Sequence, residues 1–363
     1  MTESSRAIPN APACDEKSIA DVSFFEQCLK RVQGGQNLSE SQALRMMEMI
    51  VSCTVTADQI EAYLRALAEK GESVDEIVGS AMTMRAHAVP FTACGNPIDN
   101  CGTGGDGAGT FNISTVAALV IASAGQPVVK HGNRSASGRV GSADLMEEMG
   151  INIALGPEDS RTSLERFNFA FLFAPQYHPA ARSVAPIRKR LGRPSIFNLL
   201  GPLCNPAKPP YQLLGVSSLV NAEKIAHAAL QLGVKRAFVI TTNDGVDELT
   251  PGGANHVFVV EHDRVERTEL SARDAGLPEC SLVDLQGGDV QHNAAIAEAV
   301  FQGRPGAPRD VVVFNAGAAL LCTGAAASLK EGCDRCTMAI DNGDAQRLME
   351  QLRDFSSSRS AAR

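Results

Sequence analysis

The sequence predicts an α/β protein: a mostly parallel central sheet flanked by helices, with a small all-helical domain at its N-terminal end. Three observations predict it. Helix-capping patterns recur in close order before residue 80, and after Pro90 short β-branched runs alternate with alanine-rich helical stretches. The 363 residues are 44% hydrophobic but only 5% aromatic, with no tryptophan, so the core must be built mainly from Ala, Val, Leu, Ile and Met. A chain of this length suits two lobes or one large α/β domain.

Residues 1–17 are polar and contain Pro9 and Pro12, which predicts a flexible leader. They lack the basic start and apolar stretch of a signal peptide. A small helical domain is expected over 18–90. Phe24 to Val32 reads as its first helix. Ser39-Glu-Ser-Gln42, Thr56-Ala-Asp-Gln59 and Ser73-Val-Asp-Glu76 then each place Glu or Gln three residues after a hydroxyl, the pattern of a capping box. Behind the second box, Ile60, Tyr63, Leu64 and Leu67 form an apolar stripe at helical spacing.

The large α/β domain is expected over 91–363. Val128-Val129, Phe169 to Phe173, Leu213 to Val216, Ala237 to Thr241 and Val311 to Phe314 read as buried parallel strands. Thr115 to Ala124 and Ala222 to Leu232 read as helices between them. His256 to Val260 and Arg264 to Thr268 predict a hairpin turning at His262-Asp263. The uncharged run Val311 to Leu329 contains Asn315, Gly317, Thr323 and Gly324, and so reads as a strand, turn and helix rather than a membrane span. The Ser/Arg-rich last eight residues are expected to fray.

The 33 basic and 41 acidic residues give a formal net charge of −8. That balance argues against a broad nucleic-acid-binding surface but leaves room for one local basic pocket. Ten cysteines are spread from Cys14 to Cys336, which predicts reduced thiols and a cytoplasmic protein. Cys333-Asp-Arg-Cys336 has CxxC spacing, yet a zinc ribbon needs a second pair of ligands. Free thiols on a helix are the preferred reading.

The densest chemical signal is Asn100 to Thr115, NCGTGGDGAGTFNIST, ahead of an apolar helix. Glycines let backbone N–H groups converge, and hydroxyls with a helix N-terminus complete a phosphate cradle. Neither the dinucleotide fingerprint nor the Walker loop is matched. A glycine-rich turn without a ligand is the plain alternative. Asp106 would repel phosphate unless it binds a hydroxyl, a loop amide or a metal-bound water.

Three further segments follow. Lys130, Arg134 and Arg139 lie in a Gly/Ser/Asn-rich loop after the strand at Val128, where parallel sheets bind ligands, and this favours anion binding over a solvated turn. Asp247 and Glu248 follow the strand at Ala237 as a candidate Mg²⁺ site, or else as acids of a polar turn. Phe173 to Pro206 carries His178, Arg182, Arg188, Lys189, Arg190 and Arg193, a basic helix between prolines. Most of these cations are expected to be solvated, with one or two turning inward to meet a carboxylate.

Taken together, GTGGD, NIST, KHGNR, GSAD, GPLxNP and the Asp-Glu pair resemble the anthranilate phosphoribosyltransferases of tryptophan biosynthesis, over roughly residues 24–350. The resemblance implies a small helical domain, joined by helices from about 176–200, and a large domain of the class of the pyrimidine nucleoside phosphorylases. It implies phosphoribosyl transfer from phosphoribosyl pyrophosphate to anthranilate, two Mg²⁺ ions, and a homodimer formed through the small domain. Carried over by position, Gly102, Gly105, Asp106 and Thr110 would line the donor site. Asn112, Ser114 and Thr115 would hold its phosphates. Lys130, His131, Gly132, Asn133, Arg134, Ser135, Ala136, Ser137, Gly138 and Ser142 would complete it. Asp247 and Glu248, with Ser114, match metal ligands, and with Lys130 they are the residues expected to act in catalysis. Gly102, Asn133 and Arg188 match anthranilate contacts, and His178 a histidine of the acceptor's access channel.

This chain departs from the family at Gly138-Arg139-Val140, where Ser-Lys-Ser or similar is common, and in a longer leader. A nucleoside phosphorylase of the same fold class would want KHSTGG-like signatures instead of GTGGD and KHGNR. A related nucleic-acid-binding group is opposed by the net charge and by the retained Asp247-Glu248 pair. A paralogue acting on a substituted anthranilate stays open.

Overall fold

The structure, a computed structural model, describes residues 16–135 and 140–360. The expected leader lies outside these residues, apart from Glu16 and Lys17, which open the first helix. Helices α1 (Glu16–Gln33), α2 (Glu40–Val51), α3 (Ala57–Lys70) and α4 (Val74–Ala86) form the N-terminal bundle. All three predicted capping boxes are present: Ser39, Thr56 and Ser73 accept N–H groups from Gln42, Gln59 and Glu76, whose side chains return to the caps. Glu76 is fully buried and also accepts from the Leu38 N–H and from Lys70 Nζ at 2.9 Å.

Seven strands follow: β1 (Ile98–Gly102), β2 (Val128–Gly132), β3 (Phe169–Phe173), β4 (Tyr211–Gly215), β5 (Arg236–Thr242), β6 (Asn255–Glu261) and β7 (Arg264–Leu270). Their spatial order is β3-β2-β1-β4-β5-β6-β7, with β1 to β5 parallel and β6 and β7 antiparallel. The β6–β7 hairpin turns at His262 and Asp263, with φ of 52° and 60°, the left-handed pair that a two-residue turn requires.

The helices of this lobe are α5 (Ile113–Ser123), α6 (Ser142–Glu148), α7 (Pro157–Phe167), α8 (Ala174–Tyr177), α9 (Ala185–Leu191), α10 (Ile196–Leu200), α11 (Leu219–Gln231), α12 (Ala272–Ala275), α13 (Val290–Phe301), α14 (Ala307–Thr323), α15 (Leu329–Asp341) and α16 (Asp344–Ser360). One face of the sheet packs on α5, α14, α15 and α16 through an aliphatic core. The other face shares an apolar cluster with α11, α9, α10 and the N-terminal bundle, in which Ile187, Leu191 and Phe197 meet Phe25, Leu64 and Ile77.

Four local expectations change. Val311 to Phe314 is not a strand but the first half of α14, which ends at Gly324 in the left-handed region. A buried helix and a buried strand read alike over four apolar residues. The basic helix is broken into α8, a 3₁₀ turn over Pro179–Ser183, α9 and α10, because Pro175, Pro179 and Pro186 each restart the chain. The C-terminal serines do not fray at once: α16 runs to Ser360, and buried Ser356 accepts the Asn152 N–H at 3.0 Å. The fourth is β1, the middle one of the five parallel strands, although the sequence marks no strand there. Its core positions are Ile98, Asp99 and Asn100, of which only the first is apolar.

Candidate active site

In this strand order the crossover direction reverses between β1 and β4, and ligands of parallel sheets bind in the crevice beyond that point. The loops after β1, β2 and β5 all reach it. They line one cavity of about 900 Å³, closed on its far side by α8 to α10.

The loop after β1 is held open by glycine. Gly104, Gly105, Gly107 and Gly109 have φ between 67° and 73°, a region that side chains with a β-carbon resist. Asp106 meets a loop amide, the second of its three expected partners: Oδ1 accepts the Ala108 N–H at 3.1 Å. Thr110 pairs with Gln286 in an isolated bridge, and Asn112 caps α5. Its amide donates to the Val140 carbonyl and accepts from Asn293. Ser114 and Thr115 stand in the first turn of α5, facing the same cavity.

The β5 loop folds back over the tips of β1 and β4. Asp247 Oδ2 accepts the Gly104 N–H at 2.6 Å, and Glu248 Oε1 accepts the Ser114 N–H at 3.2 Å. Asp247 is buried and Glu248 half-buried. Burial, with the charge of Asp106, pushes Asp247 up to about 7. Burial, with the charge of Asp247, pushes Glu248 up to about 8, against the opposing pull of Lys130 and Ser114.

Lys130 extends from β2 beneath this pair, 1% exposed, and donates to the Asn100 carbonyl at 2.6 Å. Burial lowers its pKa, and the nearby Asp99 charge opposes the fall. Asp99 accepts from Asn205 Nδ2 at 2.8 Å and from the His131 N–H at 3.2 Å, so the GPLxNP segment is tied to the base of the site. Burial lifts Asp99 to about 6.

Gly132, Asn133, Arg134, Ser135 and Ser142 also border the cavity. Arg134 does so without a free guanidinium, since that group pairs with Asp144 at 2.9 Å and Glu147 at 2.6 Å on α6. Ala136, Ser137 and Gly138 lie outside the described residues. His131 and His178 stack obliquely, ring centroids 5.0 Å apart. His131 Nδ1 faces the Gly201 carbonyl at 3.2 Å, so that nitrogen carries the proton, and burial drops the ring to about 3.

Arg188 projects from α9 into the far end, its guanidinium 5.3 Å above the Phe197 ring. The other arginines of the segment are taken: Arg182 donates to the Pro175 carbonyl, Arg190 pairs with Asp58 and Glu61, and Arg193 with Glu69. Among the described residues Arg188 has no carboxylate partner, and burial lowers its pKa. A planar acid is the ligand this cation fits. Met84, Phe197, Gln286, Gly287 and Asn293 also line the cavity but were not among the residues the sequence singled out. The Gly287-Gly288 pair before the Asp289 helix cap was the available signal for the last of these.

The glycosyl transferase family, a/b domain, matches residues 95–346, and the helical bundle domain of the same family matches 26–88. Anthranilate phosphoribosyltransferase of Petrotoga mobilis is 43% identical over 92% of this chain and 97% of its own length. The chain belongs to the anthranilate phosphoribosyltransferase family. Among solved structures, the anthranilate phosphoribosyltransferase of Thermus thermophilus superposes with a TM-score of 0.86 at 39% identity, covering 91% of this chain and 99% of its own. That of Saccharomyces cerevisiae, in complex with PRPP and Mg, gives 0.85 at 26% identity, covering 93% and 98%.

For an anthranilate phosphoribosyltransferase the donor set after β5 fits Mg²⁺. Two adjacent carboxyls, one buried and one half-buried, accept the Gly104 and Ser114 N–H groups, and the Ser114 hydroxyl stands beside Glu248. No cage of three or more carboxyl, imidazole or thiol groups occurs among the described residues. Mg²⁺ is commonly held by one or two carboxylates together with substrate phosphates, so the pair is sufficient.

Proposed function

We propose that the chain transfers the 5-phosphoribosyl group of phosphoribosyl pyrophosphate to the amine of anthranilate, releasing pyrophosphate and N-(5-phosphoribosyl)anthranilate, the second step of the tryptophan branch. The observation that carries this reading is the shared cavity. A glycine cradle and an Asp-Glu pair face one end, and an arginine without a carboxylate partner faces the other. A donor rich in phosphate suits the first end and a benzoate-type acceptor the second.

In the reaction the bond from ribosyl C1 to the pyrophosphate oxygen breaks and a bond from C1 to the amine nitrogen forms. The amine then gives up one proton to the departing pyrophosphate. Asp247, Glu248 and Ser114 would hold Mg²⁺, two ions in our reading, which when bound would supply positive charge for the leaving oxygens. The α5 N-terminus and the loop N–H groups bind the phosphates, and Lys130 adds positive charge beneath them. An arylamine is a neutral nucleophile at pH 7, so alignment by Arg188, Asn133 and Gly102 replaces a strong base. His178 lines the acceptor's approach.

We read residues 18–90, with the helices of about 176–200, as a small domain through which two copies pair, and 91–363 as the donor-binding domain. A cytoplasmic location goes with this biosynthetic role. Pyrophosphate release with anthranilate, set beside phosphorolysis of a pyrimidine nucleoside, tests the assignment: release in the first and none in the second is expected. The reverse would make the chain a phosphorylase.

A further inference from the structure

The chain leaving Glu248 belongs to no strand until β6 begins at Asn255, yet its backbone is not loose. Two asparagine side chains stand in for a sheet ladder. Asn315 Oδ1 accepts the Leu249 N–H at 3.1 Å, and its Nδ2 donates to the Leu249 carbonyl at 2.8 Å. Asn255 grips the next residue in the same way, accepting the Thr250 N–H at 2.8 Å and donating to its carbonyl at 2.9 Å. Each amide is fixed further, Asn315 by the Val311 carbonyl at 2.9 Å and Asn255 by the carbonyls of Leu270 at 3.1 Å and Gly253 at 3.5 Å.

Asn315 sits mid-way along α14, 1% exposed, among Val311, Val312, Phe314, Ala318 and Ala319. A leucine there would fill a helix core without the cost of burying an amide. The amide therefore serves the segment that it holds. Clamping Leu249 at both its N–H and its carbonyl fixes the peptide plane it shares with Glu248, and from that backbone Glu248 Oε1 reaches the Ser114 N–H. We propose that Asn315 is a positioning residue for the Mg²⁺ site, aiming Glu248 through the backbone of Leu249, with Asn255 as a weaker brace one residue further on. The proposal rests on the reading of Glu248 as a metal ligand.

Mn²⁺ binding to the full-length protein, followed by electron paramagnetic resonance with phosphoribosyl pyrophosphate present, tests it. Asn315→Leu is expected to weaken Mn²⁺ binding at least tenfold and Asn255→Leu about threefold, while the Michaelis constant for anthranilate at saturating metal stays within twofold. Mn²⁺ affinity unchanged in Asn315→Leu, whatever its melting temperature, overturns the proposal. If Asn315→Leu does not fold, Asn315→Ser is read in the same titration, because a hydroxyl cannot span both Leu249 groups, and it must show the same weakening. The wild type separates the two readings: no Mn²⁺ bound there removes the metal assignment itself, whereas normal binding unaffected by Asn315 removes only this inference.

Discussion

A β-carbon on Gly102 would fall 2.3 Å from Oδ2 of Asp247, so the last residue of β1 has to be glycine for the acidic loop to rest on it. Gly215, at the end of β4, repeats the relationship, since a β-carbon there would meet the Asp247 carbonyl at 1.6 Å. Two glycines at the switch point thus seat one carboxylate.

Gly102→Ala is accordingly expected to displace Asp247 while leaving the circular dichroism spectrum unchanged. A misplacement of about 1 Å costs roughly a hundredfold in turnover. Steady-state kinetics across a Mg²⁺ titration should show turnover falling by that order and half-saturation by metal moving upward. A variant with unaltered metal dependence would mean that Asp247 is not a ligand.

The buried carboxyl pair trades stability for function. Glu248 stands near 8 in the folded protein against an ordinary 4.5, so the folded state holds more protons between those values and stability falls as pH rises through that window. Without metal, Glu248→Gln should therefore melt about 2–4 °C higher than wild type at pH 9 and match it near pH 4. The same substitution should remove most activity. Scanning calorimetry in chelator at both pH values checks the first point, and an equal melting temperature at pH 9 would deny that the fold disfavours the charged carboxylate.

Arg188→Ala should raise the Michaelis constant for anthranilate by about ten- to a hundredfold, because a charge-assisted arginine contact contributes roughly 1.5–3 kcal/mol. The constant for the donor should change little. Lys130→Ala should show the opposite asymmetry. If the arginine variant weakens the donor instead, the acceptor has been placed at the wrong end of the cavity.

Cys333 and Cys336 lie buried on α15, where Cys333 Sγ would be 2.4 Å from a β-carbon on Gly317 of the facing α14. Replacing both with Ser puts hydroxyls into an apolar helix contact, a cost of roughly 1–3 kcal/mol. A lower melting temperature with unchanged Michaelis constants and no zinc in the purified protein is expected. Stoichiometric zinc lost on substitution would show a metal role.

The helical lobe was legible because its signals are local: Ser39, Thr56 and Ser73 each bond within their own first turn. The strands at β2, β3 and β5 were legible through continuous apolar runs. β1 was not, since Asp99 and Asn100 are buried there only because Asn205, His131 and Ser114 arrive from elsewhere to bond them. Arg134 shows the same limit within the site. The sequence places it in an anion-binding loop, but acids on the first two turns of α6 capture its guanidinium. Asn315 looked like an interruption of an apolar run, and its partner is Leu249, 66 residues away.

One cavity joins a phosphoribosyl donor to anthranilate in the proposed reaction. The most direct measurement follows anthranilate fluorescence with phosphoribosyl pyrophosphate and Mg²⁺ while pyrophosphate is assayed in parallel. Fluorescence should fall only when both are present and stop falling on chelation, with one pyrophosphate released per anthranilate consumed. Anthranilate left intact, while a substituted anthranilate or another acceptor is consumed under the same conditions, would contradict the proposed reaction.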